Sequence, residues 1–96
     1  MVKITHAIVK LITDGESEKE TIRSVHFPLS CTNEEIRRIL TEIRCTGCYF
    51  VYGYDPESGS AIPVVGFYPY HSKVSVGKIV NAIDSVRNLC RDLGQL

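Results

Sequence analysis

Cys45-Thr46-Gly47-Cys48 sets two thiols on either side of a small, turn-prone pair of residues. That spacing brings two sulfurs to one point, which suits a tetrahedral zinc ion or thiol–disulfide exchange. A structural zinc needs two further ligands. Cys31, His26, Cys90 and His71 are the candidates, and none of them forms a second paired knuckle. Redox chemistry favours a first cysteine at a helix N-terminus, where the dipole stabilises the thiolate. Here the pair follows the C-terminal end of a predicted helix, where the dipole has the opposite sign. Cys45 and Cys48 therefore read first as structural cysteines, with zinc the cofactor their spacing would admit. Cys90 falls on an apolar helical stripe and reads as a small core residue.

A second constellation gathers at the start of the last predicted helix. His71, Ser72, Lys73, Ser75 and Lys78 bring donors and two cations to a helix N-terminus, a setting that can hold an anion. Gly77-Lys78 falls short of a phosphate loop: Ser72 stands where its first glycine belongs, and Ile79 replaces the metal-binding hydroxyl. Helix capping by Ser75 accounts for the same residues without a ligand. His6, His26 and His71 are dispersed, and no serine, cysteine or carboxylate stands in a recognisable nucleophile setting. No catalytic residue is assigned, and an enzyme is not expected.

Tyr49-Phe50-Val51-Tyr52-Gly53-Tyr54, with Phe67, Tyr68 and Tyr70, offers rings of the kind on which single-stranded nucleic acid stacks. Charge argues against that use. Lys plus Arg number 11 and Asp plus Glu number 11, so the chain lacks the positive field that draws in a phosphate backbone. Neutrality favours association instead.

These groups need a scaffold. At 96 residues, 44% hydrophobic and 23% charged, the chain reads as one globular domain over residues 1–96. No run approaches the roughly 20 apolar residues of a membrane span. Ala7-Ile8-Val9 is cut short by Lys10, too brief for a secretory signal core, so reduced thiols and a cytoplasmic address are expected.

Residues 2–13 form the first predicted strand, with Val2, Ile4, Ile8 and Ile12 on one face and Ala7, Val9 and Leu11 on the other. Apolarity on both faces suits a central strand, or one whose second face meets a partner. Asp14-Gly15 turns into an acidic loop, and Ile22 to Phe27 returns as a hairpin partner. Thr32-Asn33-Glu34-Glu35 is a capping box that starts a helix with Ile36, Ile39, Leu40 and Ile43 on one face. Glu34 and Arg38 are spaced to pair along it, and Gly47 is its expected left-handed cap. Cys48 to Tyr54 and Ala61 to Tyr68 are the next two strands, and Pro63 marks the latter as an edge or a bulge. The second helix runs from about Ser75 to Leu93, with Val76, Ile79, Val80, Ile83, Val86, Cys90 and Leu93 on its stripe and Gly94 at its end.

The order is ββαββα. Two helices can cover one face of a four-stranded, mainly antiparallel sheet, giving a two-layer α+β sandwich. The two halves share a strand, a proline (Pro28, Pro69), a polar loop and a helix. Tandem ββα repeats and a permuted ferredoxin-like arrangement both fit. The uncovered face is where a small protein-binding module, a regulator or inhibitor, would dock a protein partner and form a homodimer. A metal- or anion-responsive protein using Cys45 and Cys48, or the His71–Lys78 loop, is the alternative, and nucleic-acid binding ranks last. Strict alternation sets Cys48, Phe50, Tyr52 and Tyr54 on one side, and Tyr49, Val51 and Gly53 on the other. With Phe50 as the core anchor, Tyr49 and Val51 become the expected protein-binding residues.

Overall fold

The computed structural model describes residues 2–14, 19–67 and 74–94. Within them the chain forms β1 (His6–Asp14), β2 (Glu20–Pro28), α1 (Asn33–Glu42), β3 (Cys45–Tyr54), β4 (Ala61–Gly66) and α2 (Val76–Asp92). The strands make one antiparallel sheet in the order β2-β1-β3-β4, and both helices pack on one side of it. The class is α+β. No helix among the described residues is long and apolar enough to cross a membrane.

β1 is central, one of the two placements that its two-sided apolarity suits. Ala7, Val9, Leu11 and Thr13 are buried on the helix side. Thr13 is tolerated there because its hydroxyl donates to the Thr21 carbonyl at 3.3 Å. Ile4 departs from the expected alternation, because it lies in the helix-side core against Gly53 rather than on the face of Ile8. Thr5 gives the reason. Its N–H donates to the Tyr54 carbonyl (3.0 Å) while its own carbonyl accepts from Leu29 N–H (3.1 Å). A regular strand residue points both groups at one neighbour, so the side-chain alternation slips at this point.

α1 opens on its capping box: Thr32 Oγ1 accepts from Glu35 N–H at 3.2 Å and donates to the Glu35 carboxylate at 3.0 Å. Ile36 and Leu40 bury against the sheet and α2. The end of the helix differs from expectation. Pairing of β3 with β1 begins at Cys45, so the chain must reverse just before it, and Arg44 takes the left-handed conformation (φ 54°). Gly47 lies inside β3 instead, opposite Ile12. A side chain in that conformation costs about 1–2 kcal/mol, the energetic consequence of the early strand start. Glu34 and Arg38 are both exposed and do not close into a pair; the ion pair formed among the described residues is Arg87–Asp84. Exposed pairs gain too little to hold two long side chains in place.

α2 follows its predicted stripe. Ser75 caps it by accepting from Lys78 N–H at 3.3 Å, Ile79, Val80, Ile83, Val86 and Cys90 are buried, and Gly94 (φ 73°) ends it. Leu93 is exposed, because it lies beyond the last helical turn. Gly53 makes room for Ile4, since a Cβ there would stand 2.9 Å from Ile4 Cδ1 and 3.1 Å from Ile4 Cγ2, while Val86 of α2 would be at contact distance, 3.4 Å.

The β3–β4 turn is tied to the N-terminal segment by one carboxylate. Asp55 is buried and accepts from Lys3 N–H (3.0 Å), the Ser58 hydroxyl (2.8 Å) and Glu57 N–H (3.0 Å). These donors, Lys3 N–H foremost, hold its pKa below the usual carboxylate value. A lowered folded-state pKa adds stability that is present above the unfolded value of about 3.9 and is lost as pH falls through the folded one. Stability is therefore expected to fall more steeply below about pH 4 in the wild type than in Asp55→Asn, which should be the weaker fold at neutral pH. Parallel acid titrations followed by circular dichroism check this; superimposable curves would remove Asp55 from the account.

Candidate functional site

β3 slips twice against β1, and those slips decide which residues face outward. Lys10 pairs with Phe50 and Leu11 with Cys48, leaving Tyr49 as an extra residue. Ile12 pairs with Gly47 and Thr13 with Cys45, leaving Thr46 as a second. Each β-bulge interrupts the alternation of side chains. Cys48 therefore joins Val51 and Gly53 on the helix side, while Phe50, Tyr52 and Tyr54 face away.

The expected facing of this strand is overturned. Val51 is 0% exposed in the core, and Phe50, the expected core anchor, is 50% exposed. Tyr49 sits half-buried in the bulge, its carbonyl accepting Phe67 N–H at 2.8 Å. Val51 has no surface to offer a partner.

Among the described residues, no helix covers the face that carries Phe50. Ile8 lies near the middle of this face yet is only 4% exposed. Its register partners are His26 and Tyr52, and the rings of His26 and Tyr54 meet edge to face across β1 with centroids 5.8 Å apart. Beside this sheltered patch, Lys10, Phe50, Tyr52, Ala61 and Pro63 line an open groove of about 360 Å³. Pro63 belongs to the edge strand β4, next to a bulge at Val64, as its missing donor requires. Further along, Ile22 of β2 is 63% exposed and pairs with Ile12. The groove is thus apolar and aromatic on its β3 and β4 sides, and Lys10 lines it from the central strand.

Comparison with protein-family models, curated proteins and solved structures gives no match. Function has to be read from the surface itself.

The other sequence candidates stand away from this face. Cys45 and Cys48 are on the helix side, where Cys45 Sγ donates to the Gly47 carbonyl (3.4 Å) and Cys48 Sγ to the Phe50 carbonyl (3.6 Å). Burial pushes both thiols up, Cys48 to about 12 with Cys45 beside it adding to the effect. Protonated at neutral pH, they are weak nucleophiles and costly metal ligands. Among the described residues, no three His, Cys, Asp or Glu side chains gather at one point. Cys90 donates to the Ile4 carbonyl from within the core. Of the candidate anion site, His71, Ser72 and Lys73 lie outside the described residues. Ser75 and Lys78 are exposed, and the Ser75 hydroxyl is engaged as the helix cap. Tyr68 and Tyr70 also lie outside the described residues, and Phe67 packs at the edge of the core.

Alternation alone hides the groove residues Lys10, Phe50, Ala61 and Pro63. The available signal is Gly47, because an isolated glycine within a strand pattern suggests a bulge. Admitting one there leaves the register of everything before it undetermined.

Proposed function

We propose that this chain is a non-enzymatic protein-binding module, of the kind that regulates or inhibits its partner, working through the uncovered sheet face around Phe50. The observation that carries this reading is a half-exposed phenylalanine beside an open groove, on a face that no described helix covers. Contiguous apolar surface with a polar rim marks interaction sites. Tyr52 and Tyr54 add large contact area with polar tips, a composition that suits interface cores. The free state of all four thiols supports a reducing compartment, the cytoplasm.

Tandem ββα units are the topological reading we adopt. Exchanging the two units turns the order β2-β1-β3-β4 into the same order read backwards, which supports a pseudo-two-fold between β1 and β3. A ferredoxin-like sheet with its last strand moved to the front would instead put its second and fourth strands at the centre.

Affinity capture with three tagged baits tests the function: wild type, Phe50→Asp, and Leu93→Asp as an exposed apolar control off this face. Phe50→Asp is expected to keep the wild-type circular dichroism and to lose about tenfold or more of the protein retained by the other two baits. Equal retention by all three would rule out this face as the working surface.

A further inference from the structure

We propose that the groove beside Phe50 takes an acidic, apolar segment of a partner protein. One large apolar side chain seats between the β3 rings and β4, and a neighbouring carboxylate pairs with Lys10. This rests on the open-face reading and names the chemistry of its partner.

The groove follows from the β3–β4 register. Phe50 stands opposite Gly66, Tyr52 opposite Pro63 and Tyr54 opposite Ala61. β3 thus raises a row of rings, while β4 answers with a missing side chain, a short ring and a methyl group. A Cβ on Gly66 would stand 3.4 Å from Phe50 Cε1, so the ring leans over the one place where β4 has no side chain to meet it. The hollow of about 360 Å³ lies at the small end of the roughly 300–1,000 Å³ typical of ligand clefts, and it is open rather than enclosed. Sites for free small molecules cover most of the ligand surface. An open groove of this size shelters a side chain instead, and the rest of the occupant belongs to a chain lying along the face.

Addition of a partner strand does not serve here. β4 is the sheet edge beside the groove, yet Pro63 lacks a donor and a bulge follows it. Side chains have to carry the recognition.

Charge decides which partner fits. Lys10 is the one charged residue lining the groove among the described residues. It is exposed, and its ammonium takes part in no ion pair or hydrogen bond among them. Its register partners, Ser24 and Phe50, carry no charge. Asp14, on the same face of β1, lies four residues on, about 13 Å along the strand and beyond the screening length of roughly 10 Å. A cation left unpaired beside an apolar hollow attracts an acidic segment and repels a basic one.

Three capped, glycine-flanked peptides test this, with Asp-Phe-Asp, Lys-Phe-Lys or Asp-Ala-Asp at their centres, titrated into isotope-labelled protein and followed by amide NMR signals. With the wild type, Asp-Phe-Asp is expected to shift the signals of Lys10, Phe50 and Ala61 and to bind about fivefold or more tighter than either other peptide. In Lys10→Glu the order of Asp-Phe-Asp and Lys-Phe-Lys should reverse, which a merely structural change at Lys10 would not produce. Lys10 is exposed, and circular dichroism checks the folding of the variant. Equal binding of Asp-Phe-Asp and Lys-Phe-Lys, or no reversal in Lys10→Glu, overturns the acidic partner. Asp-Ala-Asp binding as well as Asp-Phe-Asp overturns the seat for the apolar side chain, as does failure of all three to bind. The face itself is judged separately by affinity capture. A Lys10→Glu bait that retains what the wild type retains, beside a Phe50→Asp bait that loses it, removes the acidic segment and leaves the face. A Phe50→Asp bait that loses nothing removes the face as well.

Discussion

Val51→Asp is expected to unfold the domain, while Phe50→Asp, one residue away, leaves it folded. Val51 is fully enclosed in the cluster that joins β1, β3 and both helices, and it pairs with Val9 at the middle of the sheet. A carboxylate there has no donor in reach and either remains charged in apolar surroundings or takes up a proton at neutral pH. The cost is about 4 kcal/mol or more, close to the whole stability of a domain this small. Phe50 loses little on the same change, because half of its surface already meets water and an aspartate there stays solvated. Urea unfolding of the two variants reads the contrast directly. A folded Val51→Asp beside an unfolded Phe50→Asp would restore strict alternation along β3 and move the binding surface to its other side.

Arg87→Ala is expected to cost about 2–4 kcal/mol, large for a residue that strict hydrophobic patterning ignores. Its guanidinium reaches from α2 to the β2–α1 connection. There it donates to the carbonyls of Leu29 (3.3 Å) and Cys31, to Asn33 Oδ1 (2.7 Å) and, within α2, to Asp84 Oδ1 (2.6 Å). Its side chain is 16% exposed, and the bonds to Leu29, Cys31 and Asp84 are partly shielded from water. Removing it leaves carbonyls at the connection without their donors and takes away the clasp between helix and loop. Arg87→Lys should recover only part of the loss, because a single ammonium cannot present the planar fork that serves several acceptors at once. Urea midpoints should fall in the order wild type, Arg87→Lys, Arg87→Ala. Equal stability of Arg87→Lys and the wild type would show that charge alone, rather than fork geometry, holds the connection.

Elements set by local chemistry were legible along the chain. The Thr32 capping box, the Ser75 cap, the α2 stripe and the Gly94 terminator each depend on residues within a few positions of one another, and each appears where its spacing demands. The central place of β1 follows from apolar residues on both of its faces, and the edge place of β4 from a proline that cannot donate to a neighbour.

What local pattern does not carry is register. Tyr49 and Thr46 become extra residues only because β3 must match β1 at both ends while starting as early as Cys45, and that is a property of two strands distant in sequence. The same demand moves the left-handed reversal from Gly47 to Arg44. Because strand side chains alternate with a period of two, one inserted residue moves every residue beyond it to the opposite face. Composition and periodicity thus determined that an aromatic strand would border an uncovered face. Only the tertiary pairing decided that Phe50 would stand on that face and Val51 beneath it, since that register both buries Val51 against the helices and hydrogen-bonds β3 to β1.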